Sequence, residues 1–490
     1  MDLLKLKNGS DIRGVAVAGA EEVTLTRENV VKITVGYARF IKERLKKENP
    51  VIAIGRDSRI SGEEIEEIIT AVLSNFGFAI IQTGISSTPS MFMITKEKSF
   101  HVDASIMITA SHLPYNRNGM KFFDAKGGFE SKDITEILTL AGEEFQNPNL
   151  AGVVLKLPYI DMYSAHLANI IKEKTGEEKP FDGMKIIVDA GNGAGGFYAE
   201  KVLLPLGADI TGSQFLNPDG MFPNHIPNPE DKTAMKSISD TVVQNKADFG
   251  IIFDTDVDRA AAVFPSGEEI NRNKLIALIS AILLSENPAE TIVTDSVTSN
   301  GLTEFIESKG GIHHRFKRGY KNVINEAIKL EGEGVSAPLA IETSGHAALK
   351  ENFYLDDGAY LVTRLLIQLA KANKSGETLE SMIADLKEPK EAYEFRLKIE
   401  TEDFKSYGED VLEKFETEME KKGYTICAPN FEGVRIANEN GFALMRLSLH
   451  DPIIPINIES DIAGGVSKFV DDISEFLQGY DLLDKSKFKI

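Results

Sequence analysis

A chain of 490 residues with 42% apolar content is long enough for three or four domains, each with its own core. Its net charge of −21 argues against nucleic acid and anionic membranes as partners, because the summed field repels both. The single cysteine, Cys427, excludes an internal disulfide framework and a cysteine-rich zinc site. The start MDLLKLKNGSDIRG lacks the charged and apolar regions of a secretory signal, and no stretch has the apolar length of a membrane span, so a cytoplasmic protein is expected.

In chain order, Val51 to Arg59, Lys185 to Gly193 and Thr291 to Ser299 each read as buried strand, polar turn and helix start. Each is followed by a second strand (Phe78 to Gln82, Ala208 to Thr211, Ile312 to Phe316) and a third (Ser105 to Thr109, Phe249 to Phe253, Leu339 to Ile341). Short apolar runs between amphipathic stretches are the pattern of βαβ units with a sheet covered on both faces. Three similar α/β domains are therefore expected. Leu386 to Glu391 reads as a linker, with a proline among charges. Beyond it, a charged helix from Phe404 to Lys422, strands Gly433 to Ala437 and Phe442 to Leu447, and a helix from Ser467 to Gln478 predict an α+β domain with antiparallel strands.

The ends of the third strands carry Thr109-Ala-Ser-His112, Asp254-Thr-Asp-Val-Asp-Arg259 and Glu342-Thr-Ser-Gly-His346. Ligands in open α/β sheets sit beyond the carboxyl ends of strands, so one cleft shared by the three ends is the economical expectation. Ser111 has Thr109 and Leu113 at the glycine positions of G-x-S-x-G, which excludes a hydrolase elbow. A phosphoryl-carrying serine fits, with Lys121 brought back past an Asn118-Gly119 turn; an ordinary polar strand-to-loop turn fits these residues as well.

Asp254, Asp256 and Asp258 alternate, so an extended backbone would point all three carboxylates to one side. Hard oxygen donors without His or Cys suit Mg²⁺ or Ca²⁺. Arg259 and Pro265 stand where an EF-hand needs Gly and Glu, so a calcium loop is excluded. The run Gly191 to Gly196 satisfies G-x-G-x-x-G, but Asp209 lies inside the following strand rather than at its end, and a tight strand-to-helix turn explains the glycines better. Arg13, Arg56 and Arg59 each read as ordinary solvated arginines, and His225, in Phe222 to Pro229, as part of a rigid loop. Phe316-Lys-Arg-Gly-Tyr-Lys321 and Arg446-Leu-Ser-Leu-His-Asp451 are candidate anion-binding turns.

Taken together, these segments resemble the α-D-phosphohexomutases, which include phosphoglucomutase, phosphomannomutase and phosphoglucosamine mutase. The resemblance covers nearly the whole chain. It rests on Gly9 to Gly14, Gly55-Arg-Asp-Ser-Arg59, Thr88-Pro89, Thr109 to His112 with Asn118 to Lys121, Val188 to Ala194, Phe222 to His225 with Pro227 to Pro229, Asp254 to Arg259, and Glu342 to His346 with Asp356-Asp-Gly358. It implies three α/β domains with mixed or parallel sheets and a C-terminal α+β domain, heart-shaped around a central cleft, with boundaries near 1–155, 156–260, 261–385 and 390–490.

The implied reaction moves a phosphoryl group between C1 and C6 of glucose or mannose phosphate, through phospho-Ser111 and a hexose bisphosphate. Lys121 would be the general acid/base and His112 a neighbour of the phosphoserine. Asp254, Asp256, Asp258 and the Ser111 phosphate would hold one Mg²⁺ per chain. Arg13, Arg259, Arg446, Ser448 and His450 would bind phosphate; Glu342, Ser344, His346, Arg318, Tyr320 and Lys321 would bind the sugar phosphate. Glucose 1,6-bisphosphate would prime the reaction, and a monomer or weak homodimer is expected. Leu113, Ile341, Leu449 and His450 depart from the family pattern. Phosphoglucosamine mutase is the same-fold alternative, and a catalytically quiet sugar-phosphate-binding regulator is the alternative of another class.

Overall fold

The computed structural model describes residues 2–146, 148–448 and 451–490. It divides into two compact units, Met1–Asn271 with Ser344–Thr378, and Arg272–Thr343 with Leu379–Ile490. Among the described residues, no helix is long and apolar enough to cross a membrane.

The first unit contains two mixed sheets. In the larger, Val51–Arg56 runs parallel to both Ala79–Ile85 and Ala104–Ile108, and Arg117–Asp124 returns antiparallel beside Ala104–Ile108. Every residue of Ala104–Ile108 is buried, which is why its sequence is a continuous apolar run rather than an alternating one. Helices Arg27–Leu45, Gly62–Asn75 and Ser131–Ala141 cover the sheet, contributing Ile33, Ile41, Ile69, Leu73, Ile137 and others to one core. Thr26 caps the first of these by accepting from the Asn29 amide, and Lys46 ends it in the left-handed region.

The expected Asn118-Gly119 turn is not where the chain reverses. Leu113 and Arg117 amides close the turn onto Ala110 and Pro114 carbonyls, and Gly119 lies inside the return strand, paired with Arg13. There a β-carbon would collide with the Ile12 carbonyl, so the glycine serves close strand approach. The smaller sheet sets Ile186–Asp189 parallel to Phe249–Phe253, which then pairs antiparallel with Ala260–Val263. The strand expected at Ala208 to Thr211 is reduced to isolated bridges, Lys185 with Asp209 and Asp189 with Gln214. Asp209 instead turns its carboxylate to the Thr211 amide and hydroxyl two residues on and to Lys185. The returning segment supplies helix Gly358–Ser375, which joins the unit through Tyr163 Oη to Asp357 Oδ2 at 2.6 Å and Tyr198 Oη to Thr363 Oγ1 at 2.8 Å.

In the second unit, Thr291–Thr294 lies parallel to Ile312–Arg315 and Leu339–Ile341. Its C-terminal part is an antiparallel sheet with helices Phe404–Lys421 and Gly465–Leu477 packed through Phe415, Met419, Phe469 and Ile473. Two of its strands, Glu391–Ile399 and Ile453–Ser460, were not legible as strands. The first alternates apolar and charged residues as a half-buried strand does, but it follows directly on the proline and charges of the linker, which mask it.

Candidate active site

Ser111 lies just beyond the strand Ala104–Ile108 and is 3% exposed, with its backbone in the left-handed region at φ 52°. A non-glycine residue rarely sits there, and such strain collects at functional positions. Thr109 Oγ1 accepts from the Ser111 amide at 2.8 Å, which helps hold the turn. The hydroxyl donates to Asp254 Oδ2 at 3.1 Å and accepts from Arg259 Nη2 at 3.2 Å. His112 Nδ1 is 3.4 Å away. Burial, then the charges of Arg259, Arg13 and His346, push His112 down to about 3, so its imidazole is neutral.

The three aspartates do not stand on extended backbone. They occupy a tight turn in which Val257, a β-branched residue, has φ 67°. The turn nevertheless brings ligand oxygens of Asp254, Asp256 and Asp258 within 4.8 Å of one another. Thr88 holds Asp256 from two sides, its amide donating to the Asp256 carbonyl at 2.8 Å and its hydroxyl to Oδ2 at 2.5 Å. Gly358 abuts the same turn, its amide donating to the Val257 carbonyl at 3.1 Å. A β-carbon at Gly358 would lie 2.6 Å from the Arg259 carbonyl carbon.

All three carboxylates are buried, so their mutual repulsion demands positive charge. Arg259 Nη2 is 3.0 Å from Asp254 Oδ2, while Lys121 Nζ is bonded to Asp258 and lies 3.3 Å from Asp256 Oδ2. Burial and the charges of Asp258 and Asp256 hold the Asp254 carboxyl well above the usual range. Burial acts on Asp258 in the same sense, but Lys121, His346 and Arg259 outweigh it and keep that group ionised. Asp256 Oδ1 and Asp258 Oδ1 are buried without a hydrogen-bond partner. Three hard oxygen donors with two such orphaned atoms fit a divalent cation of the Mg²⁺ kind.

His346 pairs with Asp356, Nδ1 to Oδ2 at 2.5 Å. Burial opposes its charge, but Asp356 and Asp258 prevail and push it up to about 9. Arg13 bonds Asp11 at 2.8 Å, and Ser344 is buried in the same unit. The sequence reading missed Asp356 and Thr88 as individual side chains, although both stand in the quoted motifs. Arg59, expected in solvent from sequence, is only 1% exposed. The signal was present as Asp57, two residues before it at the end of an apolar strand and able to share its burial.

The second unit gathers the remaining candidates. Glu342 is buried, and its Oε1 accepts from the Gly319 amide at 2.6 Å, at the start of helix Tyr320–Gly332, which also carries Lys321. The Arg318 amide donates to Glu432 Oε2 at 3.1 Å, and Arg446 Nη1 is 3.9 Å from Glu432 Oε1. Arg446 Nε is buried without a hydrogen-bond partner, as suits a site that receives an anion. The Ser448 amide bonds the Ile453 carbonyl at 3.0 Å. Glu432 and Asp295, which bonds Thr343 Oγ1 at 2.7 Å, are further members that the sequence reading did not single out. His450 lies outside the described residues.

The glycine run packs against protein rather than leaving room for a pyrophosphate. A β-carbon at Gly193 would lie 2.6 Å from the Thr255 carbonyl oxygen, and one at Gly191 would lie 2.7 Å from Pro227 Cβ. Beside it, His225 Nε2 faces Asp189 at 3.0 Å and Nδ1 faces the Ile226 carbonyl at 2.9 Å. Both ring nitrogens meet acceptors, which only an imidazolium satisfies. Burial works against that charge, yet Asp189 and the carbonyl raise the group above its ordinary 6.5. Its stabilisation is then full below about pH 6.5 and lost as pH rises through the higher folded value. The gap in denaturation midpoint between the wild type and His225→Gln is expected to be widest in mild acid and to narrow on raising pH; a gap constant with pH would refute the imidazolium pin.

Residues 4–147, 161–267 and 271–388 match, respectively, Phosphoglucomutase/phosphomannomutase, alpha/beta/alpha domains I, II and III. A phosphoglucomutase/phosphomannomutase of Thermococcus kodakarensis is 30% identical over 461 residues, 93% of this chain and 94% of that one. A phosphomannomutase/phosphoglucomutase of Pseudomonas putida is 30% identical over 422 residues, covering 86% and 85%. The crystal structure of a phosphoglucomutase/phosphomannomutase family protein from Burkholderia thailandensis shares the fold, with TM-score 0.80, 24% identity and 98% of each chain covered. Repeated α/β domains followed by a C-terminal sheet domain define the phosphohexomutase class. The chain belongs to the phosphoglucomutase/phosphomannomutase family.

Proposed function

We propose that this protein catalyses reversible phosphoryl transfer between C1 and C6 of a hexose phosphate, glucose or mannose, with Ser111 as the phosphoryl carrier. One observation carries the reading: a strained, buried serine aims its hydroxyl between an arginine and a cluster of three aspartates. That cluster is a place for a charged transferring group, where positioning and fixed countercharge supply most of the catalysis.

In the proposed step, the bond from phosphorus to Ser111 Oγ breaks as a substrate hydroxyl bonds to phosphorus; the hydroxyl gives its proton to Lys121 Nζ in its neutral amine form, and the departing Ser111 Oγ takes up a proton in exchange. The second half reverses the roles, Ser111 Oγ taking the other phosphoryl group from the bisphosphate. Asp254, Asp256 and Asp258 would hold one Mg²⁺, which supplies positive charge to the transferring group when bound. Arg259 and Arg13 steady that phosphate, and His112 and His346 stand beside it. Glu342 and Ser344 read sugar hydroxyls. Arg318, Tyr320 and Lys321 bind the substrate beside them, and Arg446, Ser448 and His450 take the non-transferring phosphate. The relatives' names favour glucose and mannose phosphates over glucosamine phosphate. Domain boundaries near 155, 260 and 385–390, a cytoplasmic setting and a monomer or weak homodimer belong to the same proposal.

A coupled assay with glucose and mannose 1-phosphates, Mg²⁺ and glucose 1,6-bisphosphate as primer tests the reading. Turnover of either supports it; failure on both, with binding retained, favours the quiet regulator. Metal removal gives a second test. Dialysis against EDTA is expected to abolish turnover, and Mg²⁺ added back is expected to restore it and raise the melting temperature, since a ligand that binds only the native state stabilises it. Full activity in EDTA would contradict the metal assignment.

A further inference from the structure

Arg59 does none of the work just described, yet its side chain is organised around the serine loop. Nη1 donates to the Pro114 carbonyl at 2.7 Å and the Arg117 carbonyl at 2.9 Å. Nη2 donates to the Ser111 and Leu113 carbonyls, both at 2.5 Å. One guanidinium thus gathers the carbonyls of the whole turn between the strands Ala104–Ile108 and Arg117–Asp124.

The arginine is itself fixed. Asp57 Oδ1 accepts from the Arg59 amide at 2.9 Å, and Asp57 Oδ2 lies 3.2 Å from Nε. The Phe222 ring centroid is 5.2 Å from the guanidinium carbon. A β-carbon on Gly220 would lie 2.6 Å from Arg59 Cα, so the loop from the neighbouring domain braces the backbone as well. A buried cation is retained where it is paired, here by Asp57, although Nε and Asp57 Oδ2 make no hydrogen bond. A planar fork can serve four carbonyls where an ammonium on a flexible stem cannot.

We propose that Arg59 is a positioning residue for phosphoryl transfer, holding the Ser111 loop in its left-handed conformation so that Oγ stays aligned with Asp254 and Arg259. The proposal rests on Ser111 being the phosphoryl carrier. Without the clamp the four carbonyls turn to water, and the turn relaxes toward the ordinary right-handed region. Misplacing a reacting atom by about 1 Å can cost roughly 10²-fold in rate with no loss of substrate contacts.

The test is Arg59→Lys, which keeps the charge and removes the fork. It is measured beside the wild type and Ser111→Ala with glucose 1-phosphate, Mg²⁺ and glucose 1,6-bisphosphate. The expected result is a cooperative melt, KM within about twofold, kcat down roughly 10²-fold, and an equal fall in the rate at which the bisphosphate phosphorylates Ser111, read by intact mass. A merely structural arginine would lower the melting temperature and leave kcat and the phosphorylation rate alone, and that outcome overturns the proposal. So does a raised KM at unchanged kcat. Should Arg59→Lys fail to fold, Asp57→Asn loosens the same guanidinium, with kcat expected down roughly tenfold at unchanged KM; unchanged kcat there overturns the proposal too. Wild-type-like turnover by Ser111→Ala removes the carrier reading, and this proposal with it. An inactive Ser111→Ala beside a fully active Arg59→Lys removes the clamp alone.

Discussion

Ser111→Ala is expected to abolish turnover of glucose 1-phosphate altogether while leaving the protein folded. The covalent route has no second carrier once Oγ is gone, so the loss differs in kind from that of a helper group. Stability should barely move. The hydroxyl makes its two bonds to Asp254 and Arg259, and those partners already bond each other at 3.0 Å, so little is left unsatisfied. A single hydrogen bond is worth about 1 kcal/mol net. Intact mass should show a phosphoryl group on the wild type after incubation with glucose 1,6-bisphosphate and none on the variant. Turnover at the wild-type rate, or phosphorylation persisting elsewhere, would remove Ser111 from the mechanism.

Lys121→Ala is the second large effect, and it should be a compound one. Losing a positioned acid/base costs roughly 10²–10⁴-fold in rate. The same substitution deletes the cation beside Asp258 and Asp256, both buried. Breaking a buried pair by removing one partner typically costs about 3–5 kcal/mol, because the remaining charge is uncompensated. The variant should therefore melt well below the wild type in EDTA, and recover more of its midpoint on adding Mg²⁺ than the wild type gains. A kcat within tenfold of the wild type would exclude Lys121 as the proton-transfer group, and an unchanged midpoint would exclude the electrostatic account.

The strands that form the middle of each α/β sheet were readable because burial on both faces leaves an unbroken apolar run, as in Ser105-Ile-Met-Ile108 and Phe249 to Phe253. Edge and half-exposed strands were not. Glu391–Ile399 carries strand-like alternation but runs straight out of the proline and charges of the linker, and the segment at Ala208 is held by bridges alone. At the candidate site, Ser111, Lys121 and the three aspartates, singled out by residue type, are brought together by the fold. Arg59, Thr88, Asp356 and Glu432 were harder to see, because what they touch is backbone or another side chain that becomes a neighbour only after folding. The acidic turn shows the limit of local reasoning: extended geometry was the wrong route to the right cluster, since Val257 in the left-handed region folds the carboxylates together.

The first unit is assembled from two separate lengths of chain, 1–271 and 344–378. During synthesis, everything up to Asn271 leaves the ribosome before the segment that completes it exists. Until the segment leading into helix Gly358–Ser375 emerges, the Tyr163 hydroxyl and the Val257 carbonyl beside the aspartates await their partners, Asp357 and the Gly358 amide. The nascent protein thus cannot finish its acidic turn until the whole of Arg272–Thr343, the first length of the second unit, has been made, so topology alone sets the turn's completion late in translation.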